Sequence, residues 1–209
     1  MIKISAQLSS FLDRCDEQQK KAIVSYFDEL IDEFNNKRDL MGERGSVIHF
    51  MKKMEECVEK FINHSNNKEL IQCGKGCSHC CYYQVEISYE EGLVILDEIQ
   101  SKNINVDWNR LKYISDIDKE NWYELPLELR RCPLLNEEGE CLIYEKRPLA
   151  CRKHNVVSFP DFCQDRPNDL VSGISNPVIE SISSAVMSVS KKSDLLAKQI
   201  LNIKENGNF

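Results

Sequence analysis

Apolar residues recur at helical spacing over most of this chain, and the pattern lapses where the cysteines gather. From Ser10 to Phe34, residues Phe11, Cys15, Ile23, Tyr26, Phe27, Leu30, Ile31 and Phe34 fall on one stripe, which predicts a long amphipathic helix opened by a Ser10-x-x-Asp13 cap. The polar run 35–45 interrupts it. A second helix is expected from about Val47 to Ile62, with Ile48, Met51, Met54, Cys57, Val58, Phe61 and Ile62 as its inner face. The two helices should form an antiparallel hairpin that covers the rest of the chain or makes a homodimer face. Cys15 and Cys57 lie on these stripes and read as small apolar residues.

Further along, Tyr83, Val85 and Ile87 alternate with polar residues as in a short strand, and Ser88-x-x-Glu91 reads as a capping box opening a helix with Leu93, Val94, Leu96 and Ile99. Another helix is expected from Asp107 to about Trp122, ended by Leu125-Pro126. Residues 155–176 read as irregular coil, and tail helices are expected near Val178 to Ser190 and Asp194 to Lys204. The fold class is therefore mostly α: an N-terminal helical hairpin (1–66), a small irregular cysteine-rich metal-binding domain with a few short strands (67–176), and C-terminal helices (177–209) packed on that domain.

The chain has 209 residues, enough for a hydrophobic core without help from a metal. Its start lacks the apolar run of a signal peptide and no stretch of eighteen apolar residues occurs, so a cytoplasmic protein with no membrane contact is expected. A net charge of −7 argues against a general nucleic-acid grip. The clustered basic residues Arg130, Arg131, Lys146, Arg147, Arg152 and Lys153 flank the second cysteine group, where they can offset thiolate charge.

There are ten cysteines, and in a reducing compartment clustered thiols point to ligands or redox groups rather than structural disulfides. Cys73, Cys77, Cys80 and Cys81 fall within nine residues; Cys77 and Cys80 have the spacing that brings two sulfurs onto one tetrahedral ion, and Gly74 and Gly76 suit the turn this requires. Cys80 and Cys81 are adjacent and, in an extended segment, would face opposite ways, which implies two metals or one multinuclear centre. Cys132, Cys141, Cys151 and Cys163 form the second group. The turn Asn136-Glu-Glu-Gly-Glu140 should return Cys141 towards Cys132, and Pro148 should open a short helix bearing Cys151 and Arg152. The two groups are expected to meet in space. Tyr144, Arg147 and Arg152 are candidates to donate hydrogen bonds to the cofactor's sulfurs; His79 and His154 read as surface histidines, with replacing a thiol on zinc or taking a proton as the alternative, and His49 and His64 as solvated or core histidines.

Three strings carry a resemblance: Cys73-x3-Cys77-x2-Cys80-Cys81, Val85-x-Ile87-Ser88-x-x-Glu91, and Cys132-Pro-Leu-Leu followed by Gly139-x-Cys141-Leu-Ile-Tyr144-x-x-Arg147-Pro148-x-x-Cys151-Arg152. In these the chain resembles the bacterial YkgJ-like, or CxxCxxCC, cysteine-cluster proteins, over about residues 73 to 163. The resemblance implies zinc or iron chelation or an iron–sulfur cluster; a larger relative with the same cluster is the flagellin lysine N-methylase. Charge does not choose the metal, since four thiolates leave −2 on either Zn²⁺ or an oxidised [4Fe–4S] core. Two functional classes follow. One is an iron–sulfur or iron enzyme of redox or methyl-transfer type, acting on a substrate or protein partner; the other is a non-catalytic zinc module that binds a partner or carries metal.

Overall fold

The structure, a computed structural model, describes residues 4–66, 68–164 and 171–206, the side chains of 160 and 164 excepted. It is mostly α, with four short strands in two small sheets among the described residues. The helices are α1 (Ala6–Arg14), α2 (Glu17–Asn63), α3 (Tyr89–Ser101), α4 (Trp108–Ser115), α5 (Lys119–Trp122), α6 (Leu127–Arg130), α7 (Leu149–Lys153), α8 (Pro177–Val189) and α9 (Leu196–Glu205). The strands are β1 (Glu86–Ser88), β2 (Asn155–Val156), β3 (Gly173–Ile174) and β4 (Ser193–Leu195). None of the described helices is long and apolar enough to cross a membrane.

The antiparallel hairpin is present, with different boundaries. Ser10 lies inside α1, which is capped instead by Ser5, and Cys15 sits in the extended link to α2. A reciprocal capping box made by Asp16 and Gln19 then starts α2, so local side-chain satisfaction of free N–H groups overrides the continuous apolar stripe. The polar run 35–45 stays helical until Gly42, whose φ of 74° folds the chain back. The two arms are joined by Phe34 edge-on to Phe50 at 5.2 Å and by Glu33, which accepts from Lys53 and lies 2.6 Å from His49.

Two apolar cores result. One joins Leu8 of α1, the inner faces of both α2 arms, Val94, Leu149 and the α8 face Ile179, Ile182, Ala185 and Val186. The other joins Ile87, most of α3, α4, Trp122, Leu134, Ile143 and the α9 residues Leu196, Ala197, Ile200 and Ile203. Helix α3 lies between them, buried on both sides, and Cys132 and Cys141 pack against the second core.

Other expectations changed in detail. The helix from Asp107 breaks after Ser115 into α4 and α5, with turns closed at Asp116 and Ile117. The strand near Tyr83 to Ile87 is confined to β1, which pairs antiparallel with β4, Ile87 opposite Asp194. That partner lies in what read as the start of the last tail helix. Residues 155–176 are not all coil: β2 pairs with β3 and a 3₁₀ turn spans Pro160–Gln164, while 165–170 lie outside the described residues.

Candidate metal centre

The first cysteine group is laid out by tight turns. Cys77 donates its N–H to the Gly74 carbonyl at 3.1 Å, Gly76 takes a φ of 92°, and His79–Tyr82 form a 3₁₀ turn. Only Gly76, not Gly74, has the left-handed backbone angle expected of both. Cys80 and Cys81 thus sit in a helical turn, not an extended segment, so their side chains leave the axis about a third of a turn apart. Their thiols are hydrogen-bonded to each other and are not joined in a disulfide.

The second group is brought to the first by backbone. Cys132 donates its N–H to the Cys81 carbonyl at 2.7 Å. The loop after it closes as expected: Leu135 bridges Cys141, the Glu140 N–H reaches Asn136 Oδ1 at 2.7 Å, and Gly139 takes a φ of 79°. Cys151 and Arg152 ride on α7, which follows Pro148.

A five-residue helix is far below the length at which helices persist alone. Three carboxylates from distant segments hold α7. Glu91, only 2 % exposed, completes the capping box with Ser88, and its other oxygen accepts the Leu149 N–H at 2.7 Å. Burial pushes its carboxyl above the usual range, although those hydrogen bonds oppose the shift. Glu55 on the second arm of α2 accepts from Arg147 at 2.8 and 3.0 Å and from Arg152 at 2.6 Å. Glu180 on α8, 4 % exposed, accepts from Lys153 at 2.7 Å and from Ser5 and Ser175. The capping box was legible in the sequence; the second role of Glu91 and the roles of Glu55 and Glu180 were not, because their partners lie 58, 92 and 27 residues away.

Between the two cores these elements line a half-open cavity of about 330 Å³. Seven of the eight clustered cysteines line it: Cys73, Cys77, Cys80, Cys81, Cys132, Cys141 and Cys151. The expected meeting of the two groups therefore occurs. A water-sized occupant needs only about 10–15 Å³ of such space, so the cavity has room for a centre of several atoms. Among the described residues no three His, Cys, Asp or Glu side chains already close on a single ion site. Cys163 is buried outside the cavity wall, on the 160–164 turn that packs against the 79–82 turn, and its sulfur is 3.9 Å from His154 Nε2.

Tyr144, Arg147 and Arg152 also line the cavity, but the two guanidiniums direct their described hydrogen bonds to Glu55 and to carbonyls of Glu145, Arg147 and Tyr144 rather than to sulfur. Arg147 lies over the Tyr144 ring at 4.0 Å. The arginines favour thiolate at Cys141 through charge alone, and Arg147 does so at Cys80. Direct donors to sulfur are backbone amides: Val156 to Cys73 at 3.3 Å, Leu134 to Cys132 and Ile143 to Cys141. His154 belongs to the cavity wall, edge-on to Tyr83 at 5.8 Å, so the surface reading does not hold for it. His79 lies 3.4 Å from Asp161, and His64 contacts the Lys60 carbonyl.

Burial raises four of these thiols: it pushes Cys132 up to about 12 and raises Cys73, Cys141 and Cys151. Cys80 alone is lowered, through the hydrogen bond from Cys81, whose own thiol is correspondingly raised. A soft cation would reverse the balance, since a metal ion bonded to sulfur favours the thiolate more strongly than Arg147 and Arg152 do at a distance. The donor set, sulfur throughout with amide N–H groups behind it, fits zinc or iron and excludes magnesium and calcium.

The fold and wall thus define a mostly α protein with a cysteine-lined cavity. Residues 72–169 match the family model CxxCxxCC, described as "Putative zinc- or iron-chelating domain", a match that supports metal binding by this part of the chain. No curated protein and no solved structure matches the chain.

Proposed function

We propose that the protein holds a multinuclear zinc or iron centre, as bare ions or as an iron–sulfur cluster, through its two cysteine groups. The observation that carries this reading is the cavity walled by seven thiols from two groups about fifty residues apart. All ten cysteines are free, which suits a reducing compartment such as the cytoplasm.

Anaerobic purification followed by elemental analysis, sulfide determination and an absorption spectrum tests it. Charge-transfer bands with iron and acid-labile sulfide mark the cluster form; stoichiometric zinc with a featureless visible spectrum marks the zinc form. A preparation with neither metal above background overturns the proposal.

One observation favours an enzyme over a closed structural site. An open groove of about 750 Å³ shares Cys80, Cys151 and His154 with the cysteine cavity, and brings Gln84, Lys119, Ser183 and Ser184 alongside. A small substrate or a segment of a partner lying there could reach the centre. Redox or methyl-transfer chemistry is the form this reading takes if the metal proves to be iron–sulfur.

A further inference from the structure

A smaller cavity of about 40 Å³ adjoins the cysteine cavity and has Arg130, Gln84 and Trp122 on its wall, none of which lines the larger one. Arg130 is only 6 % exposed. Its Nε and Nη1 are buried without an acceptor among the described residues, and the amide oxygen of Gln84 is buried without a donor. We propose that this cavity binds a small planar oxyanion carrying an acidic O–H, of the hydrogencarbonate type, with Arg130 supplying the positive charge and Gln84 Oε1 accepting the O–H.

Charge carries the first half of the argument. An arginine does not shed its proton on burial, and a buried charge without a partner costs far more than an unpaired amide. The Tyr123 ring covers one face of the guanidinium at 5.4 Å, but a ring attracts the charge without accepting the in-plane N–H groups. The neighbouring arginines bring no carboxylate to this corner. Arg110 donates to the carbonyls of Glu128 and Arg131 at 2.9 and 2.7 Å, and Arg131 donates to the Asn136 carbonyl. Three guanidiniums therefore gather beside the cavity, and their described hydrogen bonds go to neutral carbonyls alone.

Gln84 narrows the class of ion. Its Nε2 donates to the Ile117 carbonyl at 3.1 Å, which fixes Oε1 as the atom left over. A halide, nitrate or carboxylate would answer Arg130 but set a second acceptor against that oxygen. An oxyanion with one O–H accepts from the guanidinium and donates to the amide oxygen, so both are satisfied at once. Water can bridge the same groups but brings no charge. Size agrees: one water needs about 10–15 Å³ of such space, so the cavity holds one small planar ion and excludes a larger metabolite.

Titration of the full-length protein, as purified, tests it. In mildly alkaline buffer free of chloride and carbon dioxide, sodium hydrogencarbonate, nitrate and chloride are added in turn and followed by calorimetry and by melting temperature. Trp122 lies on the cavity wall, so its emission in a Trp108→Phe background reports where the ion sits. Hydrogencarbonate should saturate, shift that emission and raise the melting temperature. Nitrate, planar like it but without the O–H, should bind at least tenfold more weakly, as should chloride. Gln84→Leu should bring hydrogencarbonate down to the level of nitrate. Arg130→Met should abolish binding of all three, yet melt no lower than wild type in the anion-free buffer, because it removes an unpaired buried charge. If Arg130→Met does not fold, Arg130→Lys replaces it and should bind at least tenfold more weakly than wild type.

A wild type that no anion saturates overturns the proposal, and equal affinities for hydrogencarbonate and nitrate overturn the assignment of the O–H to Gln84. Hydrogencarbonate bound as tightly by the Arg130 variant as by wild type places the ion elsewhere, the cysteine cavity included, and overturns the proposal as well.

Discussion

The hairpin core and the cysteine cavity share a wall but are stabilised in opposite ways. The hairpin buries Phe27, Leu30, Phe34, Phe50, Met54 and their neighbours, and each such side chain contributes roughly 1.5–3 kcal/mol on burial. It has long helical arms, and its core takes in Leu149 of α7 beside the cavity. The cavity wall consists of 3₁₀ turns, a five-residue helix and loops, positioned by Glu91, Glu55 and Glu180 and lined by thiols of which Cys73, Cys132, Cys141 and Cys151 are raised by burial. A fold can therefore preform the approximate positions of ligands with polar pins alone, while leaving the charge balance to be completed by a cation.

The largest expected effect breaks the two regions apart. Removing metal with a chelator should raise amide hydrogen exchange by at least tenfold across 73–82 and 132–156, while the amides around Phe34 and Phe50 keep their protection. Loss of protection across the whole chain would show that the hairpin depends on the centre after all. In the same titration, rebinding of Zn²⁺ should release protons, and apparent affinity should rise with pH, because raised thiol pKa values leave the ligands protonated in the empty wall. An affinity flat between pH 6 and 8 contradicts this.

Glu55→Ala probes the joint between the regions. It leaves the buried Arg152 and the largely buried Arg147 without their carboxylate, at a cost of about 1–3 kcal/mol once the half-exposure of Glu55 is allowed for. Urea unfolding should show that loss, and metal should exchange faster from the variant. Unchanged stability and exchange would demote Glu55 to a surface pair.

The smallest effect belongs to the hairpin alone. Burial opposes ionisation of Glu33, but hydrogen bonds from Lys53 and His49 outweigh it and hold the carboxyl below its ordinary value. Since the folded pKa is lowered, this contribution is present above the unfolded value of about 4.3 and is lost as pH falls through the folded one. Wild type should exceed Glu33→Gln by about 0.2–1 kcal/mol near pH 6, with the gap closing towards pH 3, and metal content at neutral pH should not change.

Much of this molecule was determined locally and could be read along the chain. Helical periodicity marked α3, α8 and both arms of α2; Ser88 and Glu91 announced their capping box; Asn136 to Glu140 announced the turn that returns Cys141. Ligand spacing, itself a short-range property, marked the seven cysteines that line the cavity, while Cys163 lies outside its wall. Where neighbouring signals competed, the reading slipped: the stripe through Cys15 hid a break that Asp16 and Gln19 impose, and the extended conformation assigned to Cys80 and Cys81 missed the 3₁₀ turn. Only tertiary structure decided that Glu55, Glu91 and Glu180 converge on α7, that Arg147 and Arg152 point to a carboxylate rather than to sulfur, and that His154 enters the wall. A carboxylate carries no mark in the sequence of the donor it will meet; burial selects its partner, by making any donor or acceptor left unpaired between two packed cores too costly to keep.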